Sequence, residues 1–76
     1  MSSEYALGKV LEYEMQKQGI SLQTLAKQLN ISEGTLRSYI SGKTAPRVTA
    51  IASMCIVLKI SADYLLGKKD EYGNKI

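Results

Sequence analysis

Histidine is absent from the 76 residues, and cysteine occurs once, at Cys55. A nucleophile–imidazole pair therefore cannot be assembled, and an internal disulfide is impossible. A zinc site lacks its usual ligands. There is no glycine-rich phosphate cradle and no acid pair in an evident cleft. An enzyme is not expected, nor is a metal, a cofactor or a small-molecule ligand. Cys55 lies within an apolar run and reads as a buried, unreactive thiol.

The cations carry more information. Residues 21–47 hold Lys27, Arg37, Lys43 and Arg47 against Glu33 alone, a net +3, while the preceding and following segments sum to −1 and +1. A positive patch of this kind suits a polyanion, and a solvated basic face is the plain alternative. Tyr5, Tyr13 and Tyr72 are scattered and Tyr39 and Tyr64 fit core positions, so no aromatic run points to single-stranded nucleic acid.

These side chains need elements to hold them. A chain this short builds one domain, without disulfide or metal, and must rely on well-packed helices or a partner chain. Its longest apolar run, Met54 to Leu58, is five residues, far short of a membrane span. No basic segment leads into an apolar stretch at the start, so no signal peptide is expected and the compartment is read as cytoplasmic.

Apolar spacing is helical nearly throughout. Leu7, Val10, Leu11 and Met15 mark a first helix over about 4–18, ended by Gly19. Ser21 caps a second helix with the stripe Leu22, Leu25, Ala26 and Leu29, and Asn30 stops it in a left-handed conformation. Ser32 caps a third helix, with Ile31 and Leu36 as a hydrophobic staple. Leu36, Tyr39 and Ile40 form its buried side, and Gly42 closes it. Pro46 suits the first position of a fourth helix running to about Leu58, with Val48, Ile51, Cys55 and Leu58 on one face. Ser61 starts a short fifth helix that ends at Gly67, leaving 68–76 as a polar, frayed tail beyond a 1–67 domain.

Two helices joined by three residues and followed by a basic loop describe a helix-turn-helix. The run Leu22 to Lys43, continued through Pro46 to Ile60-Ser61-Ala62-Asp63-Tyr64-Leu65-Leu66-Gly67, resembles the lambda-repressor-like (Cro/C1, XRE-type) DNA-binding domain over about residues 5–67. The resemblance implies an all-α, compact five-helix bundle with the helix-turn-helix formed by helices 2 and 3. It also implies a sequence-specific regulator of transcription, of phage-repressor type, on double-stranded DNA. A protein-interaction module on the same fold, an antitoxin or adaptor, is the alternative.

Helical spacing leaves Glu33, Gly34, Arg37, Ser38 and Ser41 on or near the outside of the third helix. In the family such a helix, here about 33–41, lies in the major groove. Glu33, Gly34 and Ser38 then become base readers, with Thr35 and Arg37 at the rim. Glu33 has a second role open to it, stabilising the helix start. Phosphate contacts fall to Ser21, Leu22 and Gln23 at the second helix N-terminus and to Ser41, Lys43, Thr44 and Arg47 after the third. The family often has glutamine where Leu22 stands; here Gln23 is its neighbour.

Two further expectations concern packing. Ile56, Ile60, Ala62 and Tyr64 on helices 4–5 offer a small self-complementary patch for a homodimer. Met15 and Ile40 stand where the family commonly pairs an arginine with a glutamate, so they should be largely buried and in contact.

Overall fold

Three serines start three helices. Ser21, Ser32 and Ser61 have extended backbone, and their hydroxyls accept the N–H three residues on, from Thr24 at 3.1 Å, Thr35 at 3.0 Å and Tyr64 at 3.1 Å. Each satisfies one of the donors that a helix start leaves without an intrahelical partner. The computed structural model describes residues 3–75, with side chains described from Ala6 onward. It is an all-α bundle of α1 (Ser3–Gln18), α2 (Leu22–Leu29), α3 (Glu33–Ser41), α4 (Val48–Leu58) and α5 (Ala62–Leu65).

All five helices end alike. A left-handed residue closes each, directly at Gly19 (φ 67°), Asn30 (58°), Gly42 (80°) and Lys59 (58°), and after the cap residue Leu66 at Gly67 (81°). The next N–H bonds back to the carbonyl five residues earlier: Ile20 to Met15, Ile31 to Ala26, Lys43 to Ser38, Ile60 to Cys55 and Lys68 to Asp63, at 2.8–3.1 Å. This closure satisfies carbonyls that would otherwise lack partners. Four of the five stops are glycine or asparagine. Lys59 carries no such signal and adopts the left-handed conformation without glycine's freedom.

The core holds Leu7 and Leu11 of α1, Leu25 and Ala26 of α2, Leu36 of α3, Met54 and Leu58 of α4 and Leu65 of α5. Each large member contributes about 1.5–3 kcal/mol by leaving water. α1 packs most extensively on α3, so the first helix is the floor beneath the third. Gly8 makes this possible: a Cβ there would collide with the Ile40 carbonyl.

Several expectations change. α4 begins at Val48, with Arg47 as an extended N-cap lacking a side-chain cap bond, so Pro46 lies in the loop ahead of it. The φ that proline fixes serves extended backbone as well as a helix start. Val48 is 82% exposed, outside the buried face, because the first turn of α4 adds nothing to the core cluster. The buried side of α4 runs instead through Ile51, Met54, Cys55 and Leu58. Met15 and Ile40 are only partly buried, although both pack on the core.

The C-terminal residues form a turn instead of fraying. Lys69 and Lys75 bridge, and the Asp70 carboxylate accepts N–H bonds from Tyr72 and Asn74 at 2.9 and 2.8 Å. Those bonds, that from Asn74 foremost, hold the Asp70 carboxyl below its ordinary range. Glu71 docks on α1, accepting from the Tyr13 hydroxyl at 3.1 Å and the Lys17 ammonium at 3.0 Å.

Candidate nucleic-acid interface

The turn between α2 and α3 spans Asn30, Ile31 and Ser32. Asn30 in the left-handed region reverses the chain, Ile31 is drawn half into the core, and Ser32 starts α3. Leu36 lies fully buried one turn into α3, with Tyr39 and Ile40 partly buried beyond it. One side of α3 is therefore anchored and the other is committed to the surface.

None of the twelve residues expected to meet DNA is buried. Gly34 and Arg37 are exposed, while Glu33, Thr35 and Ser38 are half-exposed. Glu33 and Arg37 pair at 3.8 Å across one turn, with both side chains open to water, so the pair contributes little to stability. Both roles read for Glu33 remain available, since its carboxylate also stands in the first turn of α3. Thr35 differs from a free rim residue. Its hydroxyl accepts from the Ser32 hydroxyl at 2.8 Å, which leaves its own proton and its methyl for a partner.

Around α3 stand the expected phosphate residues. Ser21, Gln23, Ser41, Lys43, Thr44 and Arg47 are exposed, and Leu22 is half-buried against the core. The Ser21 hydroxyl is already used: it donates to Thr24 Oγ1 at 2.9 Å and accepts the Thr24 N–H. The free donors of that helix end are the main-chain N–H groups of Leu22 and Gln23. Ser41 Oγ turns back to the Ser38 carbonyl at 3.2 Å, so it meets a phosphate only after rotating. Lys43 and Thr44 also bind the Ser38 carbonyl, through their main-chain N–H groups at 3.0 and 3.3 Å. That triple closure holds the base of the Lys43–Arg47 loop.

Two surface depressions bring these residues together. Gln23 and Glu33 share one with Lys27, Asn30 and Ser32, between α2 and the start of α3. Thr44 and Arg47 share another with Tyr39, Thr49 and Ser53. Lys27 thus stands beside Glu33 and Gln23. Tyr39, read as core alone, also walls the cavity next to Arg47.

Other residues were not visible from their types. Glu14 is 3% exposed, the buried charged side chain among the described residues. Its carboxylate accepts from Tyr64 Oη at 2.8 Å and Gln18 Nε2 at 2.8 Å, and Gln18 also donates to the Leu58 carbonyl. Burial, then the Glu14 bond, pushes the Tyr64 phenol well up. The Glu14/Gln18 spacing of four was the available signal, but the partner fifty residues on was not. Cys55 is half-buried, and burial pushes its thiol up, away from a nucleophile. On α4, Val48, Ala52 and Ile56 are all exposed at four-residue spacing, an apolar ridge along the outer side. Among the described residues no helix is long and apolar enough to cross a membrane.

A short-turned helix pair, its second member anchored on one side and open on the other, defines a helix-turn-helix domain. The comparisons agree. A family model described as "Helix-turn-helix" matches residues 11–65, and the chain belongs to this family, in its Cro/C1 (XRE) type. The chain is 34% identical over 70 residues to the HTH-type transcriptional regulator ImmR of Bacillus subtilis (strain 168), covering 92% of this chain and 54% of that protein. It therefore spans about half the length of that curated relative. No solved structure matches it.

Proposed function

We propose that this chain is a sequence-specific, double-stranded-DNA-binding regulator of transcription, of phage-repressor type, with α3 lying in the major groove. One observation carries the reading: α3 is pinned by Leu36 at zero exposure, while every residue on its other side remains accessible. In this reading Glu33, Gly34 and Ser38 face base edges, and Thr35 and Arg37 stand at the rim. The N–H groups at Leu22 and Gln23, the hydroxyls of Ser21, Ser41 and Thr44, and the cations Lys43 and Arg47 clamp phosphates. Residues 1–67 act as the DNA-binding domain and 68–76 as its appendage, in the cytoplasm and without catalysis. A homodimer through α4 and α5 (Ile56, Ile60, Ala62, Tyr64) doubles the contacted length of DNA. The exposed ridge of Val48, Ala52 and Ile56 supports that use of α4.

Selection of bound sites from random duplexes, followed by salt titration on the selected site, tests the reading. With about four to six phosphates neutralised per monomer, log K falls against log salt with a slope near −0.9 for each. Arg47→Ala should reduce that slope by about 0.9 and weaken all sequences alike. Absence of binding to any duplex pool at low salt refutes the assignment.

A further inference from the structure

Two glycines lie inside helices, and the structure explains only one of them. Gly8 is demanded by the fold, because a Cβ would enter the Ile40 carbonyl. Gly34 is demanded by nothing within the chain. A Cβ there would meet only Ser32 Oγ, at 3.9 Å, which is ordinary contact, and its φ is not positive. Gly34 is exposed and stands at the second position of α3, where glycine is a poor helix former beside alanine. The fold would gain from alanine at this position.

We propose that Gly34 is a specificity-determining gap, shaped by the partner, which receives the C5-methyl of a thymine. The inference rests on the DNA-binding reading and sharpens it. The missing side chain leaves open a methyl-sized space, the notch, on the exposed side of α3, where a Cβ would meet only Ser32 Oγ at 3.9 Å; Glu33 and Thr35 are its chain neighbours and Ser38 lies one turn on. Glu33 pairs loosely with Arg37 at 3.8 Å, and the Thr35 hydroxyl is bonded to that of Ser32. What faces outward at the notch is the Gly34 Cα, an apolar surface. Of the groups on base edges in the major groove, the thymine methyl is the apolar one that projects. A methyl on the protein and a methyl on the base would compete for one space.

The test is a cycle between Gly34→Ala and deoxyuridine replacement of each thymidine in the selected site. Gly34→Ala should raise the melting temperature by about 3–6 °C, since it gains helix propensity. It should lower affinity for the selected site by about tenfold or more, because an added methyl in a packed contact must displace one side. At one thymidine, the change to deoxyuridine should weaken the wild-type chain by about threefold or more, the loss of one buried methyl. The same change should strengthen the Gly34→Ala variant. A lower melting temperature would show that the fold needs this glycine. Unchanged affinity, or equal effects of deoxyuridine on both chains at every position, would overturn the notch. Failure of the wild-type chain to bind any duplex would instead remove the DNA reading itself, before a variant is made.

Discussion

Gly8→Ala should destabilise the domain, although alanine is the better helix former. The gain in propensity is about 0.5–1 kcal/mol. Against it stands a steric conflict with backbone, not with a side chain that can rotate away. The new Cβ would overlap the Ile40 carbonyl oxygen and lie 2.8 Å from the carbonyl carbon, where ordinary contact begins at 3.4 Å. The carbon contact alone requires α1 and α3 to part by 0.6 Å, the difference between those two distances, and the oxygen requires more. Overpacking of this kind costs about 1–3 kcal/mol where side chains can adjust, and backbone on both sides places it at the upper end. The net loss is about 2 kcal/mol, which lowers the melting temperature by roughly 8–16 °C in a domain of this size. Thermal and urea unfolding followed by circular dichroism reads both, and the urea slope should stay constant. Because Leu7 and Leu11 flank Gly8 on the same helix and Leu36 is fully buried on α3, amide exchange should quicken first in α3. A variant as stable as the wild-type chain would refute the view that α1 and α3 touch through backbone.

Three other perturbations have signed outcomes. Tyr64→Phe removes the hydroxyl donor to the buried Glu14 carboxylate and should cost about 1.5–3 kcal/mol in urea unfolding, with Glu14→Gln costing less in that background than alone; additive losses would show no coupling. Lys59→Gly relieves a left-handed, non-glycine residue and should raise the melting temperature by about 3–6 °C, and a fall would place the strain elsewhere. The Lys17 hydrogen bond, then that from Tyr13, holds the Glu71 carboxyl below its ordinary 4.5, so this contact stabilises the docked turn above that pH and is lost as pH falls through the lowered value. A carboxyl NMR titration should find Glu71 below 4.5 and returning upward in Lys17→Ala, whereas a midpoint at or above 4.5 in the wild-type chain would refute the docking.

The helix-turn-helix was legible because its information is local. Ser21, Ser32 and Ser61 act on the N–H three residues ahead, and Asn30, Gly42 and Gly67 reverse the chain where they stand. The stripe of Leu22, Leu25, Ala26 and Leu29 and the anchor Leu36 follow from helical period alone. Surface placement of Glu33, Gly34, Arg37 and Ser38 follows too, because a helix with one buried side has only one other. Their partners within the chain were less legible, since the hydroxyl bonds of Ser41 and Thr35 depend on rotamers that residue type leaves open.

Tertiary structure decided whatever depends on residues distant in the chain. Pro46 and Val48 together could not tell where α4 starts, because proline serves loop and first turn equally; the core begins only at Ile51, and Val48 is left in water. Met15 and Ile40 were placed by resemblance in a buried contact, yet the buried polar group on α1 is Glu14, facing Tyr64 on α5. The tail composition reads as solvated, but Glu71 finds Tyr13 and Lys17 more than fifty residues back and docks. Gly8 and Gly34 make the same point from within two helices. By sequence both are helix-weakening glycines; only the position of the Ile40 carbonyl separates the one that the fold requires from the one that it does not. Local chemistry sets each helix and its ends, whereas burial, strain and close approach belong to pairs that meet only when the chain is packed.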